Sequence, residues 1–229
     1  MVTELPLARY TFTFQTIDPL NLPAFADPLL SGLFGLALRR LSCINRDADC
    51  TSCPLHNQCD FFLLTRGAAP PAESSTGLAA RMRDRPPPLI FRTPVRDYSL
   101  RIPAGRTFST SLIVVGSGNN RLPAIIRALA LAGDLGLGRK RTRFRLQEVI
   151  CRRPGELDCF IEQNSPQPPV PTPQPVPHPP QRVSVTLLSP WLLPHTKENS
   201  KPATTDTLLP RFLMQVVRRI SLLQQCYGE

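Results

Sequence analysis

The chain has 229 residues, a formal net charge of +10 and a pI of about 9.9, a balance that attracts polyanions such as RNA or DNA. No apolar run is long enough to span a bilayer, and the first residues lack the charged and apolar regions of a secretory signal. We therefore expect a cytoplasmic protein of one large or two small domains, without a membrane partner.

The first part of the chain predicts a strand followed by a helix. Residues 9–17 alternate aromatic and polar side chains, which is typical of a strand. Asp27 and the proline after it predict the cap and first turn of a helix, and apolar residues then recur at helical spacing as far as Leu41. Arg39 and Arg40 stand in its last turn, where cations suit the helix dipole.

The next segments complete a regular order of elements. Residues 89–102 predict a hairpin, residues 107–115 a strand, residues 122–133 a helix and residues 141–150 a last strand. The resulting order, βαββαβ, is that of the ferredoxin-like α+β fold. This fold leaves one face of its sheet open, and several RNA-binding modules use such a face.

Four of the seven cysteines are crowded into a short segment after the first predicted helix. Without an export signal, such a cluster indicates a metal site more than a disulfide framework. Four thiolates would hold a structural zinc and leave no open position for catalysis. Reduced thiols without metal, an iron–sulfur cluster and His56 as a substitute ligand remain alternatives. The predicted ligands are Cys43, Cys50, Cys53 and Cys59.

A glycine-rich, basic segment, GDLGLGRKRTRFRL, occupies residues 133–146. Its glycines predict a turn whose N–H groups can cradle an anion. From Arg141 onward arginines alternate with apolar residues, which predicts a strand with a basic face whose side chains lie about 6.6 Å apart. A solvated edge strand is the alternative, but we predict contact with nucleic acid. The predicted RNA-binding residues are Gly136, Gly138, Arg139, Lys140, Arg141, Arg143 and Arg145.

The last part of the chain predicts a linker and the start of a second unit. Residues 165–180 form a proline-rich spacer, and a strand at residues 183–188 and a helix with an apolar stripe follow. One strand and one helix cannot bury a core alone, so they dock on the first domain or a partner, or the second domain is incomplete. We predict a ferredoxin-like domain at residues 1–153 with the cysteine insertion at 43–59, a linker at 154–181, and the start of a second, shortened ferredoxin-like domain at 182–229.

Several segments together share the order and spacing of one protein family. They are Leu-x-Gly-x-Phe-Gly leading to Leu-Arg-Arg-Leu-x-Cys at residues 30–43, Cys-x-x-Cys-Pro-Leu at 50–55 with Cys59, Gly-Leu-Gly-Arg into Arg-Phe-x-Leu at 136–146, Leu-Ser-Pro at 188–190 and Arg-Arg-Ile-Ser-x-Leu at 218–223. As a set they resemble the sixth CRISPR-associated (Cas) protein family of the RAMP superfamily, the endoribonucleases that process CRISPR precursor RNA.

This resemblance implies two tandem ferredoxin-like domains that bind CRISPR repeat RNA and cut it without a catalytic metal. In that chemistry the ribose 2′-OH attacks the adjacent phosphate to give a 2′,3′-cyclic phosphate, helped by a base or orienting group and by cations. The candidate residues here are Arg39, Arg40 and His195. Other CRISPR effector subunits are further expected partners. The alternatives are a non-catalytic RNA-binding relative or complex subunit and, more remotely, a zinc-dependent regulator that binds DNA.

Overall fold

A computed structural model describes most of the first domain and the last helix. The described residues are 5–45, 49–67, 85–94, 98–152, 159–160, 184 and 205–228. The strands are β1 (Leu7–Thr16), β2 (Leu20–Leu22), β3 (Leu89–Arg92), β4 (Leu100–Ile102), β5 (Thr107–Val115), β6 (Phe144–Arg152) and β7 (Cys159–Phe160). The helices are α1 (Asp27–Ser42), α2 (Asp60–Arg66), α3 (Leu122–Leu135), which follows a 3₁₀ turn at Gly116–Arg121, and α4 (Thr205–Tyr227).

The main sheet confirms the ferredoxin-like fold class. Its strand order is β3-β5-β1-β6-β7, and each neighbouring pair is antiparallel. Helix α1 connects β1 toward β3, and α3 connects β5 to β6, so that the two βαβ units interlock in one sheet. Strands β2 and β4 form a separate two-stranded sheet.

The core lies between the two helices and one face of the sheet. Along β1 the predicted alternation holds, because Tyr10, Phe12 and Phe14 are buried and the residues between them face the other way. The ring of Phe14 stacks on Phe108 and meets Phe144 edge-on, each at 5.2 Å between centroids. Such pairs add about 0.5–1.5 kcal/mol each to the stabilisation that burial of the rings already provides.

Helix α1 begins one residue earlier than predicted. Asp27 is the first helical residue, Ala26 occupies the cap position, and no side chain bonds to the helix start. The Asp27 carboxylate instead accepts a hydrogen bond of 2.6 Å from the backbone N–H of Thr93, just after β3. The aspartate therefore ties the start of α1 to the edge of the sheet.

The predicted hairpin at residues 89–102 is wrong. Strand β3 pairs with β5 in the main sheet, and β4 pairs with β2 in the small one. The pairing with β5 places Leu89 opposite Val114 and buries both side chains. Strands β3 and β4, although neighbours along the chain, thus belong to different sheets. Burial of apolar residues, rather than proximity along the chain, determined their partners.

A buried asparagine links the 3₁₀ turn to the sheet. Asn119 accepts a hydrogen bond of 2.9 Å from the Tyr10 hydroxyl, and its amide group donates to the carbonyl oxygens of Val114 (3.4 Å) and Gly116 (2.9 Å). We expect Asn119→Ala to lower the free energy of unfolding by about 2–3 kcal/mol, since three buried hydrogen bonds are lost. Urea unfolding measures this, with the exposed neighbour Asn120→Ala as the control. Equal stability of the two variants would contradict the expectation.

The last turns of α4 pack against the first domain. Cys226 and Tyr227 are buried beside Val115, and the Tyr227 hydroxyl donates to the carbonyl oxygen of Pro86 at 3.0 Å. Burial raises the pKa of the Cys226 thiol. A Cβ on Gly116 would lie 2.1 Å from the Tyr227 carbonyl oxygen, so the helix end touches the backbone of the 3₁₀ turn. This contact matches the docking that the sequence left as one option.

The rest of the predicted second unit lies almost wholly outside the described residues. This holds for the linker at 154–181, apart from the two residues of β7, and for the strand at 183–188, apart from residue 184. The domain limits therefore stay a prediction. Among the described helices, none combines the length and the apolar character needed to cross a membrane.

Candidate nucleic-acid interface

The glycine-rich, basic segment forms a closed turn, which we call the basic turn (residues 136–142). Leu137 and Thr142 pair through two backbone hydrogen bonds of 2.8 and 3.1 Å, and the Arg141 N–H donates to the Gly138 carbonyl oxygen at 3.1 Å. Gly138 and Arg141 have φ values of +70° and +48°, which reverse the chain between them. Arg139 and Lys140 consequently stand exposed at the tip.

Two glycines allow close backbone contacts within and beside this turn. Gly136 has a φ of +79°, and a Cβ there would lie 2.2 Å from the Arg141 carbonyl oxygen. Gly133, still within α3, approaches β6 so closely that a Cβ would lie 2.1 Å from the Phe144 carbonyl oxygen. The close contacts of these glycines are therefore with the protein's own backbone, within the turn at Gly136 and between α3 and β6 at Gly133.

The predicted strand from Arg141 is wrong in its first residues. Strand β6 begins at Phe144, because the positive φ of Arg141 is incompatible with an extended strand. Residues 141–146 still alternate between exposed and buried, as predicted. The arginines nevertheless do not form one continuous row along a strand. Arg141 belongs to the turn, whereas Arg145 lies opposite Gln15 on the open face of the sheet.

Two described arginines, one beside the basic turn and one at the other end of α3, already have acidic partners. The backbone N–H of Arg143 donates to Asp18 Oδ2 at 3.2 Å, and its Nε lies 3.4 Å from the same oxygen. The two side chains are 58% and 45% exposed, so the ion pair contributes at most about 1 kcal/mol. Arg121 pairs with Asp60 beside α2. Arg143 therefore anchors the turn to the end of β1 and is the least available of the predicted RNA-binding cations.

Grooves lie on both sides of the basic turn. The first, which we call the α1 groove, separates the turn from α1 and has a volume of ≈ 500 Å³. Its charged lining residues are Arg40, Arg139 and Arg141. The second, the β2 groove, has a volume of ≈ 550 Å³ and is lined by Arg101, Arg139 and Lys140 among others. Within the described residues these cations form no salt bridge, so their charges are available to an anion.

Two of the three predicted catalytic residues, Arg39 and Arg40, are described, and their side chains have different surroundings. Arg40 is exposed and reaches the α1 groove, whereas the guanidinium of Arg39 lies 5.8 Å from the ring centroid of Phe61 in α2. His195 lies outside the described residues. Of the histidines, His56 is described, and its Nδ1 lies 2.7 Å from the Cys53 carbonyl oxygen in the cysteine segment. Of the two described candidates, Arg40 shares a surface with the basic turn.

The open face of the sheet is polar rather than aromatic. Its central rows carry hydroxyl groups, with Thr11 paired to Ser111 at 3.5 Å and Thr13 to Ser109 at 3.3 Å. In β1, β3, β5 and β6, no aromatic residue is placed on this face. Sheets that bind RNA commonly stack bases on aromatic rings. The candidate interface is therefore the basic turn, where the sequence predicted most of the RNA-binding residues.

The four clustered cysteines are partly exposed free thiols. Within the described residues, no three histidine, cysteine or acidic side chains lie close enough to hold a metal ion. Zinc binding therefore stays a prediction. The segment is organised by local bonds such as that from the Thr51 N–H to Asp49 Oδ1 (3.0 Å), which lowers the pKa of the Asp49 carboxyl.

Metal analysis of the purified protein tests the zinc prediction. We expect about one zinc per chain, as in four-cysteine structural sites. Cys50→Ser should lose the zinc and unfold at a lower temperature, because metal binding energy is part of the folding energy. Ser52→Ala, an exposed neighbour, is the control and should retain both. Protein that carries no zinc, and whose stability is the same in both variants, would contradict the prediction.

Comparison with known proteins assigns the chain to a family. The sequence model described as the AF_1859 N-terminal domain matches residues 5–171. The chain belongs to this family. The AF_1859 N-terminal domain spans β1 to β7 and therefore contains the whole βαββαβ unit, the cysteine segment and the basic turn, whereas α4 lies beyond it. No curated protein matches the chain.

A solved structure is also similar to this member of the AF_1859 N-terminal domain family. It is a chain of the crystal structure of the Csm3–Csm4 subcomplex in the type III-A CRISPR–Cas interference complex. The two sequences are 13% identical, and the TM-score is 0.41. The similarity covers 71% of this chain and 92% of that chain.

Proposed function

We propose that the protein binds CRISPR repeat RNA through the basic turn and the two grooves beside it. The observation that carries this proposal is the group of exposed cations that lack acidic partners among the described residues: Arg40, Arg139, Lys140 and Arg141. The net charge of +10 adds long-range attraction for a polyanion. The CRISPR source of the RNA rests on the motif set at residues 30–59, 136–146 and 188–223.

The arrangement of the cations favours a polymer over a small anion. Arg139 lines both grooves, with Arg40 and Arg141 on the α1 side and Lys140 on the β2 side. A chain of phosphates crossing the tip of the turn can contact these charges in succession, whereas a single phosphate would leave most of them unused. Each contact releases counterions, so binding should weaken steeply with salt.

We further propose that the bound RNA is cut by its own ribose, without a metal ion. The 2′-oxygen attacks the neighbouring phosphorus and loses its proton to a base, and the 5′-oxygen leaves and gains a proton. Arg40, beside Arg139 and Arg141, would stabilise the negative charge of the transition state. Arg39 and His195 remain the other predicted participants.

The second candidate function is that of a complex subunit, in which the protein binds the RNA and retains it without cutting it. It is favoured by the lining of the α1 groove, which includes no histidine or carboxylate that could act as the base. Other CRISPR effector subunits would then be the partners of the RNA–protein complex.

Incubation with the cognate repeat RNA in EDTA separates the two functions. The cleavage proposal predicts products ending in a 2′,3′-cyclic phosphate, and Arg40→Ala should slow cleavage by about 10²-fold while weakening binding only a few-fold. RNA that is bound but intact at protein excess would contradict cleavage and support the subunit role. RNA that is neither bound nor cut would contradict both.

A further inference from the structure

We propose that the α1 groove is a nucleobase subsite, which accepts one unstacked base of the RNA held by the basic turn. This inference rests on the proposed RNA binding and adds to it a direct contact with a base. The groove would then distinguish single-stranded RNA from a bare chain of sugar and phosphate.

The two walls of the groove match the two halves of a nucleotide. The α1 wall is apolar, with Leu29, Leu33 and Leu36, and the opposite wall carries Arg139 and Arg141. A nucleotide combines an aromatic plane with an anion, so its base suits the leucines and its phosphate suits the arginines. The volume of ≈ 500 Å³ lies within the range of about 300–1,000 Å³ that small-molecule sites occupy.

A glycine keeps the groove open. Gly32 lies inside α1, where glycine lowers helix stability by about 0.5–1 kcal/mol relative to alanine. A Cβ at this position would meet nothing within 4 Å, so no packing contact explains the small residue. A larger side chain would instead project into the space between α1 and the basic turn.

Gly32, Leu36 and Arg40 follow one another along the same face of α1. Residues four apart on a helix lie on one face and about 6 Å apart along the axis. Leu36 is 49% exposed, an apolar surface that a base could cover, and Arg40 stands one turn further on to receive a phosphate. The face therefore offers space, an apolar contact and a cation in succession.

Matched glycine variants test the subsite with two defined probes. The probes are a single-stranded oligouridine and an abasic ribose-phosphate chain of equal length, measured by fluorescence anisotropy with the full chain. The wild type should bind oligouridine about five- to tenfold more tightly than the abasic chain, as expected for one base contact. Gly32→Leu should remove this preference. Gly35→Leu should behave as wild type, because position 35 is equally open but does not line the groove.

A second pair of variants avoids any change at glycine. Leu36→Ser should also remove the preference for oligouridine, whereas Leu41→Ser should keep it. Both leucines are 49% exposed and lie in the same helix, but Leu36 alone of the two lines the α1 groove. Thermal unfolding of all four variants shows whether each is folded.

The outcomes distinguish this inference from the proposed function. If folded Gly32→Leu and Leu36→Ser both keep the wild-type preference, or if the wild type shows none, the subsite is refuted while RNA binding stands. If the wild type binds neither probe at low salt, the proposed function itself fails. Loss of preference in the Gly35 and Leu41 controls as well would also overturn the subsite, since the effect would not depend on the groove.

Discussion

Replacing Arg139, Lys140 and Arg141 together by alanine is expected to weaken RNA binding on the order of tenfold to a hundredfold at about 0.1 M salt. These residues carry the exposed charge of the basic turn. Each phosphate contact with single-stranded RNA contributes about 0.7 to the slope of log affinity against log salt, so the slope should become shallower by about 2. Titration of labelled oligouridine at several salt concentrations measures both quantities.

A control variant with the same net charge separates the contribution of the basic turn from that of the protein's overall charge. Arg66, Arg92 and Arg106 are also exposed, and their combined replacement by alanine removes the same charge at other places. This control should lose only the part of the RNA affinity that comes from long-range attraction. It should keep most of the slope of log affinity against log salt. Equal losses in the two triple variants would show that net charge, rather than the basic turn, determines the affinity.

Alanine at two glycines should change stability in opposite directions. Gly133→Ala places a Cβ 2.1 Å from the Phe144 carbonyl oxygen, so α3 and β6 must move apart, and we expect a loss of roughly 3 kcal/mol in the free energy of unfolding. Gly32→Ala meets nothing within 4 Å and should stabilise the protein by about 0.5–1 kcal/mol through helix propensity. Urea unfolding of both variants under one condition measures the two signs.

The two glycine-to-alanine variants also test how the basic turn is positioned. Because Gly133 lies just before the basic turn, Gly133→Ala should weaken RNA binding even where enough folded protein remains to measure it. A Gly133→Ala protein as stable as the wild type would contradict the close packing of α3 on β6. Destabilisation by Gly32→Ala would contradict the open space beside α1.

The parts of the fold that were predictable from sequence have strong local periodicity. Strand β1 alternates aromatic and polar residues, and α1 and α3 carry apolar residues at helical spacing, so each pattern specifies both its element and its buried face. The partners of β3 and β4 were not predictable in this way. Their choice depends on which distant apolar strand they cover, which local alternation does not encode.

The candidate site was predictable only in part. Glycines followed by arginines identified the basic turn, but the positive φ of Arg141, which shortens the strand, gives no signal in a non-glycine residue. The pairing of Arg143 with Asp18 and the groove between α1 and the turn join residues far apart along the chain. They follow from the packing of β1 and α1 against the turn, which the sequence does not state.

The central claim is that the basic turn, rather than the open face of the sheet, binds RNA. Photo-crosslinking of an oligonucleotide containing 4-thiouridine to the full chain, followed by peptide mapping, tests it most directly. We expect crosslinks in residues 28–40 and 135–142, the two walls of the α1 groove and the tip of the turn. Crosslinks confined to the open face of β1 and β5 would contradict the claim.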